Sequence, residues 1–197
     1  MKHPLNRKLI SFALLLTTGL LCSSVTAQTY LYFQDSPSGD YYEYSWMELT
    51  APSELERMGN ELRRFPVEIN IPAVQGTNSL RLKWKSLTGG DWVAIAAGLN
   101  WTEKNLTDTD TLTFWLRSVE GLNSTNLPRI FMEDVSNTKT TKHNFSPWCG
   151  NLSPGVWNRI AIPMSLFFDY GDPVDFTKIK TIGFAQGITD GVTHTLL

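Results

Sequence analysis

In the run Ser79-Leu80-Arg81-Leu82-Lys83-Trp84-Lys85 every second side chain is apolar. A period of two is the signature of a strand with one face buried and one face wet, and no helix can satisfy it. Similar short runs cover 30–33, 67–71, 92–97, 111–117, 129–135, 157–162 and 178–185. Turn chemistry separates them, in Asp35-Ser-Pro-Ser-Gly39, Gly89-Gly90-Asp91, Ser153-Pro-Gly155 and Gly171-Asp-Pro173. Many short strands with such breaks predict an all-β, two-sheet antiparallel sandwich. One short helix is expected in addition. Ser53-Glu54-Leu55-Glu56 fits a capping box, and Leu55, Met58, Leu62 and Phe65 recur at helical spacing, although Gly59 weakens the segment.

The N-terminus carries a different pattern. Lys2, Arg7 and Lys8 precede an apolar run from Leu9 to Cys22, and small residues follow to Val25-Thr26-Ala27. The run is about 14 residues long, whereas a spanning helix needs roughly 20, so 1–27 reads as a signal peptide cleaved after Ala27. Cys22 raises a lipoprotein anchor as the rival, but Leu21 stands where that processing prefers a small residue. The expected mature protein is secreted or extracellular, with periplasm or cell surface as variants of the same route. No membrane contact is expected after cleavage.

Residues 28–197 suffice for one domain with a substantial core. Net charge is −2 with Lys and Arg dispersed, which leaves no electrostatic footprint for nucleic acid or anionic lipid. The mature part keeps one cysteine, Cys149, so packing rather than an internal disulfide must hold the fold. Asn100, Asn105, Asn123, Asn144 and Asn151 begin Asn-x-Ser/Thr sequons, which chance explains in a chain this rich in Asn and Thr. The sequence stops at His194-Thr-Leu-Leu197, inside an emerging strand. A missing final strand, and hence an unpaired edge, is the expectation.

Catalytic signatures are absent: there is no G-x-S-x-G, H-E-x-x-H, phosphate-binding glycine loop or C-x-x-C. His143 and His194 each stand alone. Two carboxylates would suffice for a glycosidase, and Glu133-Asp134 and the group Asp169, Asp172, Asp175 are the candidates. Adjacent strand residues face opposite ways, so Glu133 and Asp134 cannot share a cleft. The aspartates sit in turn sequence, where solvated loop carboxylates are the default. No catalytic residue is assigned.

Tryptophan is in excess, with seven in the chain. An indole stacks on the apolar face of a pyranose while charged and amide side chains hydrogen-bond the hydroxyls. A sandwich also buries Trp in its core, so parity must choose. Leu112, Phe114 and Leu116 share one face, leaving Trp115 and Arg117 on the other. Leu80, Leu82 and Trp84 likewise oppose Arg81, Lys83 and Lys85. The expected binding patch is Trp115 and Arg117 with Lys83 and Lys85, joined by loop aromatics Trp92 and Trp148.

Five segments in order, Gly76–84, Gly89-Gly-Asp-Trp92, Asp110–116, Trp157–163 and Asp175–180, resemble galactose-binding-like carbohydrate-binding modules of secreted bacterial polysaccharide-degrading enzymes. The resemblance runs from about Tyr30 to Leu197. It implies a jelly roll, no catalysis of its own, a polysaccharide or oligosaccharide partner, and a tethered glycoside hydrolase. It also implies a structural calcium ion, for which Asp35 most resembles one ligand, while the acidic final strand that would complete the site is not in the sequence. The function expected is to dock a parent enzyme on its substrate. The alternatives are the N-terminal part of a glycoside hydrolase, and a structural or adhesive surface domain that binds no sugar.

Overall fold

The computed structural model describes residues 29–197 apart from 34, 37, 38, 60–62, 70, 72, 73 and 75, so the leader expected over 1–27 lies outside the described residues. In chain order the elements are β1 (Tyr41–Tyr42), β2 (Ser45–Thr50), β3 (Glu54–Leu55), β4 (Phe65–Ile69), β5 (Asn78–Leu80), β6 (Leu82–Lys85), β7 (Asp91–Ala97), β8 (Thr111–Arg117), β9 (Arg129–Asp134), β10 (His143–Asn144), α1 (Ser146–Cys149), β11 (Trp157–Pro163), α2 (Ser165–Phe168), β12 (Ile179–Ala185) and β13 (Thr193–Leu196). Every strand pairing is antiparallel. No helix among the described residues is long and apolar enough to cross a membrane.

The first sheet runs β10-β9-β12-β7-β2. The second is assembled from shorter pieces, β11-β8 and β13-β6-β3. Reciprocal backbone bonds between Arg117 and Leu197, at 3.0 and 2.9 Å, and the bridge between Ser118 and Leu196 join them into one surface. β5 and β6 form nearly one strand. Their break falls at Arg81, whose N–H turns to Pro66 O at 2.8 Å, and β5 pairs with β4, which pairs with β1.

The alternation that defines the strands also builds the core. Leu82 and Trp84 point inward from β6, Leu116 from β8, Ile160 and Ile162 from β11, and Leu196 from β13. They meet Met47, Trp92, Ala94, Ile130, Met132 and Ile182 from the other sheet. Burying each large aliphatic or aromatic side chain contributes about 1.5–3 kcal/mol relative to leaving it in water. The fold class is therefore the sandwich expected from the sequence.

Three local expectations are corrected. Over its described residues the segment from Ser53 forms no helix, with Leu62 outside them: Glu54 and Leu55 pair with Lys85 and Trp84, and Met58 bridges to Arg64. Ser53 Oγ does not cap a helix but lies 2.7 Å from Gln186 Oε1 and accepts the Leu87 N–H at 2.9 Å. Gly59 adopts φ 66°, a turn conformation that glycine enters without steric penalty. Pairing with β6 thus outweighs a weak local helical preference. The run 30–33 forms no strand either; Tyr32 and Phe33 pack on the core, and Tyr32 OH donates to Ile179 O at 3.3 Å. Finally, the last strand has no open edge, because β13 lies between β6 and the Arg117–Val119 segment.

Candidate functional site

The outward face of the first sheet carries an apolar strip with a charged margin. Register aligns Trp46, Ile95, Gly183 and Phe131 across β2, β7, β12 and β9, and next to them Glu48, Val93, Ala185 and Arg129. Small residues in β12 keep the centre low. The result is a cleft of 330 Å³ floored by Val93 and Ile95, with Trp46, Glu48 and Trp101 on one side and Glu133, Lys139 and Lys180 on the other.

Each wall is held by a specific device. The Arg63 guanidinium stands 5.4 Å from the Trp46 ring centroid, a cation–π contact that leaves the indole half-exposed. Trp101 has φ 57°, a left-handed backbone that is uncommon and costly for a bulky side chain. Its turn is fixed by the Trp101 N–H to Gly98 O at 3.0 Å and by Tyr44 OH to Asn100 Oδ1 at 3.0 Å. Strained backbone held in this way clusters at binding sites. Opposite, Glu133 is buried although it lies on the outward face, 3.0 Å from Lys180 Nζ and 3.4 Å from Lys139 Nζ. Lys180 also donates to Asn137 Oδ1 at 2.7 Å. Thr181, paired with Glu133 in the ladder, is buried with a hydroxyl that has no hydrogen-bond partner.

Indoles beside an apolar floor, with acceptors and donors on the rim, suit a ligand that has flat apolar faces and a periphery of hydroxyls. Glu48 and Glu133 stand on strands three spacings apart, about 14 Å between backbones.

The residues expected from sequence parity divide between surface and core. Trp115 is 40% exposed and shares the outward face of the second sheet with Arg117, Lys83 and Lys85. Lys83 and Arg117 line one 440 Å³ hollow there together with Glu56, Glu68 and Arg81. Lys83 is 3.7 Å from Glu56 and Lys85 is 3.4 Å from Glu54, so both cations are already neutralised. Trp92 is corrected to a core residue: it is 1% exposed, donates Nε1–H to Ser86 Oγ at 3.1 Å and packs 5.6 Å from Trp84. Its position in β7 shares the inward face with Ala94 and Ala96. Trp148 is exposed but lies in α1, beside β11, outside the hollow.

The acidic candidates serve the backbone. Asp134 accepts from the N–H groups of Ser136, Thr138 and Asp175 at 2.8, 3.0 and 3.1 Å, on the face opposite Glu133. Asp172 accepts from Thr141 N–H at 2.7 Å, and Asp175 from Thr177 N–H at 3.0 Å. The Thr177 hydroxyl and N–H hold the Asp175 carboxyl below its ordinary value. Asp169 closes α2. His194 is buried 2.7 Å from Asp190 Oδ2 and tilted against Trp84. His143 packs edge-on against Phe167 and Tyr170.

Asp35 was expected to face a calcium ion. Its carboxylate accepts from Ser36 N–H, Thr77 N–H and Thr77 OH, all at 3.1 Å, tying two loops together. Among the described residues no three His, Cys, Asp or Glu side chains converge.

The sequence reading did not single out Trp46, Trp101, Glu48, Lys139 or Lys180, which line this cleft. One signal was available for the first: Trp46 and Glu48 are two apart, so a strand there must show both on one face.

One family model and three known proteins bear on this geometry. The family model for carbohydrate binding domain 30 matches residues 29–196. An exo β-1,2-glucooligosaccharide sophorohydrolase of Parabacteroides distasonis is 29% identical over 192 residues, which is 92% of this chain and 26% of that protein. The crystal structure of a β-1,2-glucanase from the same organism superposes with a TM-score of 0.73 at 26% identity, over 87% of this chain and 24% of the other. The chain thus spans about a quarter of the length of these relatives. A family 30 carbohydrate-binding module from a cellulosomal cellulase of Clostridium thermocellum shares the fold, with a TM-score of 0.63 at 18% identity over 84% of this chain and 90% of that one.

Proposed function

Because this chain belongs to the carbohydrate binding domain 30 family, we propose that the cleft between Trp46 and Lys139 is where it holds a sugar chain, and that the chain is a neutral β-glucan. That the protein is a carbohydrate-binding module follows from the family; the site and the glycan are our reading of the cleft. The observation that carries it is the pairing of two half-exposed indoles, Trp46 and Trp101, with a rim on which Glu48 and Glu133 balance Lys139 and Lys180. Such a rim offers alternating acceptors and donors to hydroxyls and no net attraction to a polyanion.

β-1,2-Glucan is the first ligand to test, because the two Parabacteroides proteins are named for that linkage. We further infer that the module works tethered to a glycoside hydrolase, in a protein exported through the leader 1–27. A single cleft of this kind binds weakly, on the order of micromolar to millimolar, and serves by raising the local concentration of substrate.

Affinity electrophoresis and calorimetry against β-1,2-, β-1,3- and β-1,4-glucans test the reading. Retardation by at least one of them, abolished in Trp46→Ala with the melting temperature kept, supports it. No retardation by any neutral glucan, or retardation that Trp46→Ala leaves intact, overturns it.

A further inference from the structure

We propose that the outward face of the β8–β11 ribbon is a second binding surface, separate from the cleft, that takes a polysaccharide bearing carboxylates. Register places Trp115 directly opposite Arg159, and Arg117 directly opposite Trp157. Two indoles therefore occupy one diagonal of a four-residue square and two guanidinium groups the other, with diagonal neighbours about 7–8 Å apart. Trp115 is 40% exposed, Arg159 is exposed, and Trp157 and Arg117 are half-buried.

Charge separates these two arginines from the other cations of the sheet. Arg81 is clamped between Glu56 and Glu68, and Lys83 and Lys85 are neutralised by Glu56 and Glu54. Neither Arg117 nor Arg159 has a carboxylate within ion-pairing distance among the described residues. Arg117 is nonetheless fixed, because its Nε–H donates to Gly155 O at 2.9 Å. Its remaining donors are held in place without a partner anion.

One fixed fork of donors at Arg117 and an exposed one at Arg159, beside two flat rings, match a pyranose that carries a carboxylate. The ring stacks on indole and the carboxylate takes a bidentate pair from guanidinium. A neutral glucan would offer both arginines hydroxyls but no carboxylate for a bidentate pair. Nucleic acid fits worse, since a footprint there uses many phosphate contacts and this face offers two uncompensated cations on a chain of net charge −2. The surface lies on the sheet opposite the cleft, so the two sites make no shared contact.

Calorimetry of the whole chain with polygalacturonate at low salt, with dextran sulfate and β-1,2-glucan in parallel, tests the proposal. The expected result is binding of polygalacturonate that weakens about tenfold in Arg159→Gln, the loss of one hydrogen bond to a charged group. Trp115→Ala should weaken it similarly, while Trp46→Ala leaves it unchanged. Melting temperatures of the variants report folding, and Arg159→Lys should restore only part of the affinity, because a point charge replaces a fork. No binding of polygalacturonate overturns the proposal. So does binding that tracks Trp46, or equal binding of dextran sulfate that ignores Trp115.

Discussion

The ring of Phe131 lies directly across Gly183: a side-chain carbon built on that glycine would stand 2.3 Å from Phe131 Cζ. The two residues are register partners in β9 and β12, on the outward face, and the absence of a side chain at 183 lets the phenyl ring lie down over the sheet. Gly183→Ala forces ring or strand to move. We expect a loss of about 1–3 kcal/mol, the usual cost of overpacking, measured as a lower urea midpoint with an unchanged slope. In a Phe131→Ala background the same Gly183→Ala change should cost less than it does with the ring present, because the clash is with that ring.

The Glu133 carboxylate and its two lysines form the second test. Replacing Glu133 by Ala leaves Lys180, itself largely buried, with only Asn137 as partner. Breaking such a pair from one side costs about 2 kcal/mol here, below the 3–5 kcal/mol of fully buried pairs because Lys139 is half in solvent. Replacing Lys139 by Ala should cost under about 1 kcal/mol, as for exposed pairs. Equal losses in the two variants would contradict the burial described here.

Acid should weaken the fold through His143. Burial holds its pKa below the ordinary 6.5, and Asp172 opposes that shift only in part. The folded state therefore binds fewer protons than the unfolded chain, and stability is full above pH 6.5 and falls as pH drops through the lowered folded value. His143→Leu should flatten the dependence of the melting temperature on pH in the window just below 6.5. Asp190 adds a separate loss at lower pH. Burial alone would raise its carboxyl, but hydrogen bonds from His194 and the Val192 N–H outweigh that and hold it below 3.8, so its contribution is present above 3.8 and lost below.

Cys149 should be slow to react. Burial pushes its thiol up to about 11, so at pH 8 roughly one molecule in a thousand carries the thiolate that alkylating reagents attack. Iodoacetamide labelling followed by mass spectrometry should be slow in the native protein and accelerate on adding urea. Rapid native labelling at pH 8 would contradict the burial of the sulfur.

Alternation made most of this fold legible. β6 and β8 expose their polar faces as their parity requires, and Leu82, Trp84 and Leu116 are buried. The segment after Ser53 misled because a capping box and a helical spacing are local signals, whereas the pairing of Leu55 with Trp84 is made 29 positions away. Trp92 misled for another reason: it follows Gly89-Gly90-Asp91 and so resembles a loop residue, yet the strand begins one residue before it. Parity located the face shared by Trp115, Arg117, Lys83 and Lys85 but not the glutamates that neutralise the two lysines. The cleft was harder to see. Its contributors Trp46, Trp101, Glu133 and Lys180 come from four distant segments, and only the register of β2, β7, β12 and β9 brings them together.

The position of β13 between β6 and β8 has a consequence for how the sheet closes and for drawing domain limits. Four residues near position 195 stitch two halves of the second sheet together. Neither half can close on the other until those residues are in place, so the sheet is completed by a zipper inserted in its middle. A fragment cut just ahead of Thr193 would lose not a frayed margin but the seam.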